Sequence, residues 1–326
     1  MKLNSMKYDK NNYFDLLENF PEQIKQGMQI GKKIKLKKRK FENILVQGMG
    51  GSGITGRILE NLFKDELKIP IKTNNDYELP DFVSNKTLFI AVSYSGSTEE
   101  TSTGLKKAKK KKAFILGISS GTKMKKECNY LIKIPENFPP RAATAFLVVP
   151  LIFALQKLGL IKGKEKNIKE FINIAEKNKK EIKEKAFETA KKMNKKTVFV
   201  YSTKKIEISS LRWMTQINEN SKDFCHANVL PEMNHNEINM NYKKGLFVFL
   251  KTENESIQMK KRINYTKKVF SKNNKVIEFS SKGNSLFCKL FYLIYLGDFT
   301  SFYLALLNKV NPFPVPLITE LKKELK

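Results

Sequence analysis

Residues 43–57, Asn-Ile-Leu-Val-Gln-Gly-Met-Gly-Gly-Ser-Gly-Ile-Thr-Gly-Arg, constrain the fold more than any other stretch of the chain. Residues 44–46 are a short apolar run suited to a buried strand. Gly48, Gly50, Gly51 and Gly53 then crowd a turn, and Ile54, Ile58, Leu59 and Leu62 take up helical spacing. A strand, a glycine turn and a helix in that order make an anion site. Glycines let the backbone approach closely, and free N–H groups at the helix start point at the ligand. Ser52 adds a hydroxyl inside the turn. Many dinucleotide-binding units open the same way, but this stretch lacks the Gly-Lys-Ser/Thr ending of a nucleotide P-loop.

A second turn narrows the ligand. Residues 87–92 read as another buried strand, followed at once by Ser93-Tyr94-Ser95-Gly96-Ser97-Thr98 and then Glu99-Glu100-Thr101. Any one of these hydroxyls could simply cap a helix, since Ser and Thr are favoured there. Four together, after a strand parallel to the first, favour a hydroxyl cradle for a sugar phosphate. A nucleotide fold more often offers a carboxylate to the ribose at the end of its second strand.

Gly-Gly-Ser-Gly followed by Ser-Tyr-Ser-Gly-Ser-Thr-Glu-Glu-Thr resembles the sugar isomerase (SIS) domain. More narrowly, the chain resembles the bifunctional phosphoglucose/phosphomannose isomerases. Three stretches carry the narrower likeness: Pro139-Pro140-Arg141-Ala142-Ala143, Asn218-Glu219-Asn220, and Pro-Glu-Met-Asn-His-Asn-Glu-Ile at 231–238. The resemblance runs from about Asn43 to the C-terminus.

At 326 residues the chain exceeds what one core usually organises, so two domains are expected. The expected organisation is an N-terminal helical segment (1–40), an N-terminal SIS domain (41–160), a helical connector (161–196) and a C-terminal SIS domain (197–326). Apolar strands near 44–48, 69–73, 87–92, 113–117 and 130–134, with helices about 54–64 and 98–110, predict a parallel sheet buried on both faces. A second unit starts at 197–201, with further strands at 245–250 and 275–279 and a long apolar helix at 286–307. The fold class is therefore α/β: two αβα sandwiches, each with a mostly parallel sheet flanked by helices. No glycine-serine turn follows Tyr201, so the second unit reads as a diverged copy that supplies chemistry in place of a second cradle.

The formal charge of +29 invites a nucleic-acid reading, but only five of the 61 basic residues are arginine and the lysines are spread throughout. Nucleic-acid readers favour arginine for bidentate contacts, so no nucleic-acid partner is expected. A mild attraction for anionic sugar phosphates follows from the charge. The lysine cluster at 32–40 reads as a solvated face. Cys128, Cys225 and Cys288 lack paired spacing, which excludes a zinc ribbon and argues against disulfides. No apolar run is seen to approach the roughly 20 residues of a membrane helix, and Met1-Lys2-Leu3-Asn4-Ser5 has no signal-peptide core. A cytoplasmic protein with no membrane partner is the expectation.

Arg141 follows Phe138-Pro139-Pro140, where prolines fix the chain entering a helical apolar run and so aim the guanidinium. The chain has only two histidines. His235 sits in the polar knot Asn234-His235-Asn236-Glu237, which no helix or strand period explains, and loops of this kind concentrate function. An imidazole can trade protons near neutral pH. His226 has no comparable setting and is read as structural. Glu219 ends a helical stretch beginning at Ser210. One histidine and no cysteine cluster do not make a metal site, so neither metal nor cofactor is expected.

The family likeness implies the rest. Gly51, Ser52, Ser93, Ser95 and Thr98 would hold the phosphate. His235, with a lysine of the C-terminal helix (Lys322, or Lys323 beside it), would open the sugar ring. Glu219 would carry a proton between C1 and C2, and Arg141 would stabilise the enediolate. It also implies a homodimer whose histidine reaches into the neighbouring subunit's pocket, with the apolar helix 286–307 one source of interface. The expected activity is aldose–ketose isomerisation of glucose 6-phosphate and mannose 6-phosphate with fructose 6-phosphate. An isomerase for glucose 6-phosphate alone and a phosphosugar-binding regulator without catalysis are the alternatives.

Overall fold

The apolar runs of the first half line up side by side. The computed structural model describes residues 3–325 and divides into two compact units, Asn19–Ile172 and Met1–Glu18 with Asn173–Lys326. In the first, β1 (Asn43–Gln47), β2 (Ile71–Asn74), β3 (Thr87–Val92), β4 (Phe114–Ser119) and β5 (Tyr130–Lys133) form one parallel sheet in the order β2-β1-β3-β4-β5. All six residues of β3 are buried, as expected of a strand covered on both faces. Helices Gly50–Phe63, Glu99–Lys110 and Thr144–Lys157 flank the sheet. Helix Phe20–Lys32, with Pro21 in its first turn, packs on Thr144–Lys157. Gly27 and Gly31 make that crossing close. A Cβ on Gly31 would lie 2.5 Å from the Phe153 ring and one on Gly27 3.1 Å from Val149 Cβ.

In the second unit β6 (Val198–Thr203), β7 (Cys225–Leu230), β8 (Leu246–Lys251) and β9 (Lys275–Ser280) form a parallel sheet in the order β7-β6-β8-β9. The first strand again lies between the second and third, so the copy relation extends to topology. One face packs Phe199, Tyr201, Phe247 and Phe249 against Ile263 and Phe270 of helix Ile257–Phe270. The long helix Leu286–Leu307 supplies the other centre of the core, and Trp213 Nε1 donates to its Leu293 carbonyl at 2.7 Å. Arg212 and Asp298 form a buried ion pair with Nε–Oδ1 at 3.2 Å.

Three expectations change here. The helix Leu286–Leu307 is long and apolar enough to cross a membrane, contrary to the sequence reading, but its most apolar window is 94% buried within the fold. Each fully buried Leu or Phe contributes about 1.5–3 kcal/mol to folding, which accounts for its composition as a core helix. For the same reason it offers no apolar surface to a second copy. The N-terminal segment also divides. Residues 19–40 belong to the first unit and residues 1–18 to the second, where Asp9 caps helix Tyr13–Glu18 through Tyr13 N (2.7 Å) and Phe14 N (2.9 Å). Tyr13 and Phe14 then pack on Phe302 and Phe299. The lysines between 32 and 40 are exposed, as a solvated face requires.

Candidate active site

Strand order decides where a ligand can sit. In an open parallel sheet it lies beyond the carboxyl ends of the strands, where the order reverses. That point is between β1 and β3, and each is followed by one of the two hydroxyl-bearing turns. Ser52 is buried in the first turn, and its Oγ accepts from Tyr94 N at 3.2 Å, linking the two. In the second turn Ser93 Oγ and Thr98 Oγ1 are 2.9 Å apart. Thr98 is the cap residue of helix Glu99–Lys110, yet its side chain makes no capping hydrogen bond. Capping therefore does not explain the Thr98 hydroxyl. Ser95 is exposed, and its Oγ accepts from Ser97 N at 3.3 Å. Gly51, Ser52, Ser93, Ser95 and Thr98 thus lie beyond the carboxyl ends of β1 and β3.

Arg141 joins them. It lies in a single 3₁₀ turn, Pro140–Ala142, and is only 3% exposed. Its backbone is pressed against the glycine turn: a Cβ on Gly51 would lie 2.7 Å from Arg141 N and 2.8 Å from the Pro140 carbonyl carbon. Tyr94, in the middle of the serine turn, fixes the loop from the other side. Its hydroxyl donates to Pro135 O at 2.9 Å and accepts from Phe138 N at 2.8 Å. Burial pushes the Tyr94 phenol above its ordinary pKa, so it stays protonated and able to donate. Sequence reasoning passed over Tyr94, although an aromatic ring amid hydroxyls is the visible sign of such a strut.

In the second unit Glu219 is half-buried on a π-helical turn, Ile217–Ser221, that extends helix Glu207–Gln216. Such turns recur at functional sites. Its neighbours are pinned: Asn218 Oδ1 accepts from Cys225 N at 3.1 Å and Asn220 Nδ2 donates to Ser301 Oγ at 3.0 Å. Lys222, in left-handed conformation, donates to Pro314 O at 2.7 Å and also to the Glu219 carbonyl. This holds the approach to helix Pro316–Glu324, where Lys322 and Lys323 are both exposed.

His235 is exposed at the end of the 3₁₀ turn Glu232–His235. It is not brought to Glu219. The Glu219 turn leads into the start of β7, whereas the His235 turn follows its end, and the strand's six residues extend roughly 17 Å at about 3.3 Å per step. His226, read as structural, lies on β7 with its Nε2 3.0 Å from Glu237 Oε1. Strand β7 itself was unforeseen.

The ends of the second sheet's strands are arranged differently from those of the first. At the ends of β6 and β8, Thr203 Oγ1 (3.0 Å), Thr252 N (2.9 Å) and Thr252 Oγ1 (2.7 Å) all donate to Glu255 Oε1. Here an internal carboxylate, Glu255, gathers the donors at the strand ends.

The comparisons agree with this layout. A sequence model of the SIS domain matches residues 35–158, and one described as the bacterial phospho-glucose isomerase C-terminal SIS domain matches residues 182–325. The bifunctional phosphoglucose/phosphomannose isomerase of Caldicellulosiruptor bescii is 37% identical over 333 residues, covering 96% of this chain and 98% of that protein. The protein of the same name from Thermoplasma volcanium is 35% identical over 290 residues, covering 88% and 92%. Among solved structures, the C-terminal domain of glucosamine-fructose-6-phosphate aminotransferase from Francisella tularensis aligns with a TM-score of 0.74 at 15% identity, over 94% of this chain and 98% of that one. That last likeness establishes the fold alone. With sequence identity sustained over nearly its whole length, the chain belongs to the bifunctional phosphoglucose/phosphomannose isomerase family.

Proposed function

We propose that this protein interconverts glucose 6-phosphate and mannose 6-phosphate with fructose 6-phosphate through a cis-enediolate. The observation that carries the reading is the convergence of Gly51, the serine turn and buried Arg141 at the switch point of the first sheet, within a chain of this family. Phosphate binding by Gly51, Ser52, Ser93, Ser95 and Thr98 provides remote binding energy that orients the reacting carbons. His235, with Lys322 or Lys323, moves protons at O5 and O1 to open the ring. Glu219 carries a proton between C1 and C2, and Arg141 stabilises the negative charge that develops on the enediolate oxygen. The two aldoses differ only at C2. That carbon is planar in the enediolate, so one base serves both. In our reading the reaction needs no metal.

The direct test is to incubate purified protein with fructose 6-phosphate and quantify both aldose phosphates. Formation of both supports the reading. Glucose 6-phosphate alone points to the narrower isomerase, and binding without turnover to a regulator.

Ser52→Ala and Thr98→Val should chiefly raise KM for phosphorylated sugars, because phosphate is held in ground and transition states alike. An unchanged KM in both variants would place the phosphate elsewhere.

The strand-length separation of Glu219 and His235 supports a homodimer in which each site takes its histidine from the partner copy. Leu317, Leu321 and Leu325 are 77%, 56% and 55% exposed beside Lys322, which fits an apolar contact made on assembly. Mixing inactive His235→Ala with inactive Glu219→Gln under exchange conditions should then restore part of the activity, since a mixed dimer has one intact site. Absence of recovery despite proven exchange would mean that each chain builds its own site.

A further inference from the structure

The motif that contains His235 ends in a second acid, and that acid is the most densely hydrogen-bonded side chain near it. Glu237 Oε2 accepts from the Tyr201 hydroxyl at 2.7 Å. His226 Nε2 lies 3.0 and 3.1 Å from the two carboxylate oxygens, and Asn228 Nδ2 donates to Oε1. The three donors share one face of the sheet. Tyr201 on β6 pairs with Asn228 on β7, and Phe199 with His226, so all sit at alternate positions. Burial by itself would push the Glu237 carboxyl up, but the three donors outweigh it and hold it below its ordinary pKa. Burial, and then the same carboxylate, push the Tyr201 phenol up. Near neutral pH the carboxylate is therefore charged and the phenol neutral.

The surrounding loop is pinned on both sides of His235. Upstream, Met233 is fully buried in the cluster with Tyr201 and Phe247, and Asn234 Nδ2 donates to Thr266 Oγ1 at 2.8 Å. Downstream, Glu237 is anchored as described. Only His235 and Asn236 between them are exposed, and Asn236 Oδ1 accepts from Glu237 N at 2.6 Å. An apolar plug would hold a loop at lower desolvation cost than a carboxylate with three partners. What the carboxylate adds is direction: three donors fix its plane, and through it the backbone two residues from the imidazole.

We propose that Glu237 is a positioning residue for ring opening, locking the His235 loop to β6 and β7 through Tyr201, His226 and Asn228. This rests on the assignment of His235 to ring opening made above. The role predicts a defect confined to substrates that have a ring to open.

5-Deoxyfructose 6-phosphate supplies the contrast, because without O5 it cannot close a furanose ring and its enolisation needs no opening step. Turnover of this analogue and of fructose 6-phosphate would be compared in wild type, Glu237→Gln, Tyr201→Phe and His235→Ala, with thermal unfolding measured alongside. Glu237→Gln is expected to lose about 10²-fold on fructose 6-phosphate, the scale of a small misplacement of a reacting group, and far less on the analogue. Tyr201→Phe should show the same selectivity to a smaller degree, and it carries the comparison alone if Glu237→Gln does not fold. Equal losses on both substrates, or none on either, would overturn the positioning role. If His235→Ala itself slows both substrates equally, His235 does not open the ring, and the underlying assignment falls together with the proposal.

Discussion

Glu219→Gln is expected to lower kcat on fructose 6-phosphate by roughly 10²–10⁴-fold, the usual cost of removing a general base, with KM little changed. The amide matches the carboxylate in size but cannot accept a proton from C1 or C2. The π-helical turn should survive the change, because Asn218 is tied to the start of β7 and Asn220 to helix Leu286–Leu307. Loss of turnover without loss of substrate affinity is the pattern of an interaction made in the transition state. The same factor should apply whether glucose 6-phosphate or mannose 6-phosphate is followed, since one base serves both. Steady-state kinetics with both aldoses, alongside circular dichroism, checks this. Turnover close to wild type would remove Glu219 from the proton transfer.

Gly51→Ala should be nearly as damaging for a different reason. Its Cβ would meet backbone rather than a side chain: Arg141 N at 2.7 Å, the Pro140 carbonyl carbon at 2.8 Å and Arg141 Cα at 3.0 Å. Backbone cannot rotate away, so either the glycine turn or the Pro140–Ala142 turn must shift. The second is held by Tyr94 through Pro135 and Phe138. Displacing the proposed phosphate cradle from Arg141 by a fraction of an ångström to 1 Å is expected to reduce kcat/KM by about 10²-fold. Gly50 provides the control one residue away. It has φ +50° and nothing within 4 Å of an added Cβ, so Gly50→Ala costs only local strain of about 1–2 kcal/mol and should keep most activity. Comparable losses in the two variants would show that backbone conformation, not the approach of Arg141, is what Gly51 serves.

The first sheet was largely legible because its strands are apolar throughout and each is followed by a distinctive turn. Strand β3 sits at the residues expected, and the helix after β1 starts at Gly50, earlier than its apolar spacing implied, because glycines hide a helix start from periodicity. Strand β7 was invisible for the opposite reason. Cys-His-Ala-Asn-Val-Leu is an edge strand whose His226 and Asn228 point at Glu237 rather than at an apolar core, so its pattern reads as loop. That omission also concealed the distance between Glu219 and His235, since only a strand keeps the two turns at opposite ends. The long helix Leu286–Leu307 was located correctly and its apolar surface misassigned, because composition cannot tell a core helix from one that faces a partner. Arg141, by contrast, was singled out from its prolines and from the family likeness of residues 139–143, and its backbone lies against the glycine turn.

Isomerisation of both epimers at one site requires that a carboxylate move a proton through a planar intermediate common to them. Prolonged equilibration of fructose 6-phosphate with the protein in D₂O tests it, with C2 of the glucose 6-phosphate and mannose 6-phosphate formed read by proton NMR. An enediolate mechanism predicts that both aldoses accumulate and that deuterium enters C2 of each, because a proton held by Glu219 would exchange with solvent over repeated turnovers. Full retention of protium at C2 of both products after many turnovers would indicate a hydride shift and contradict it.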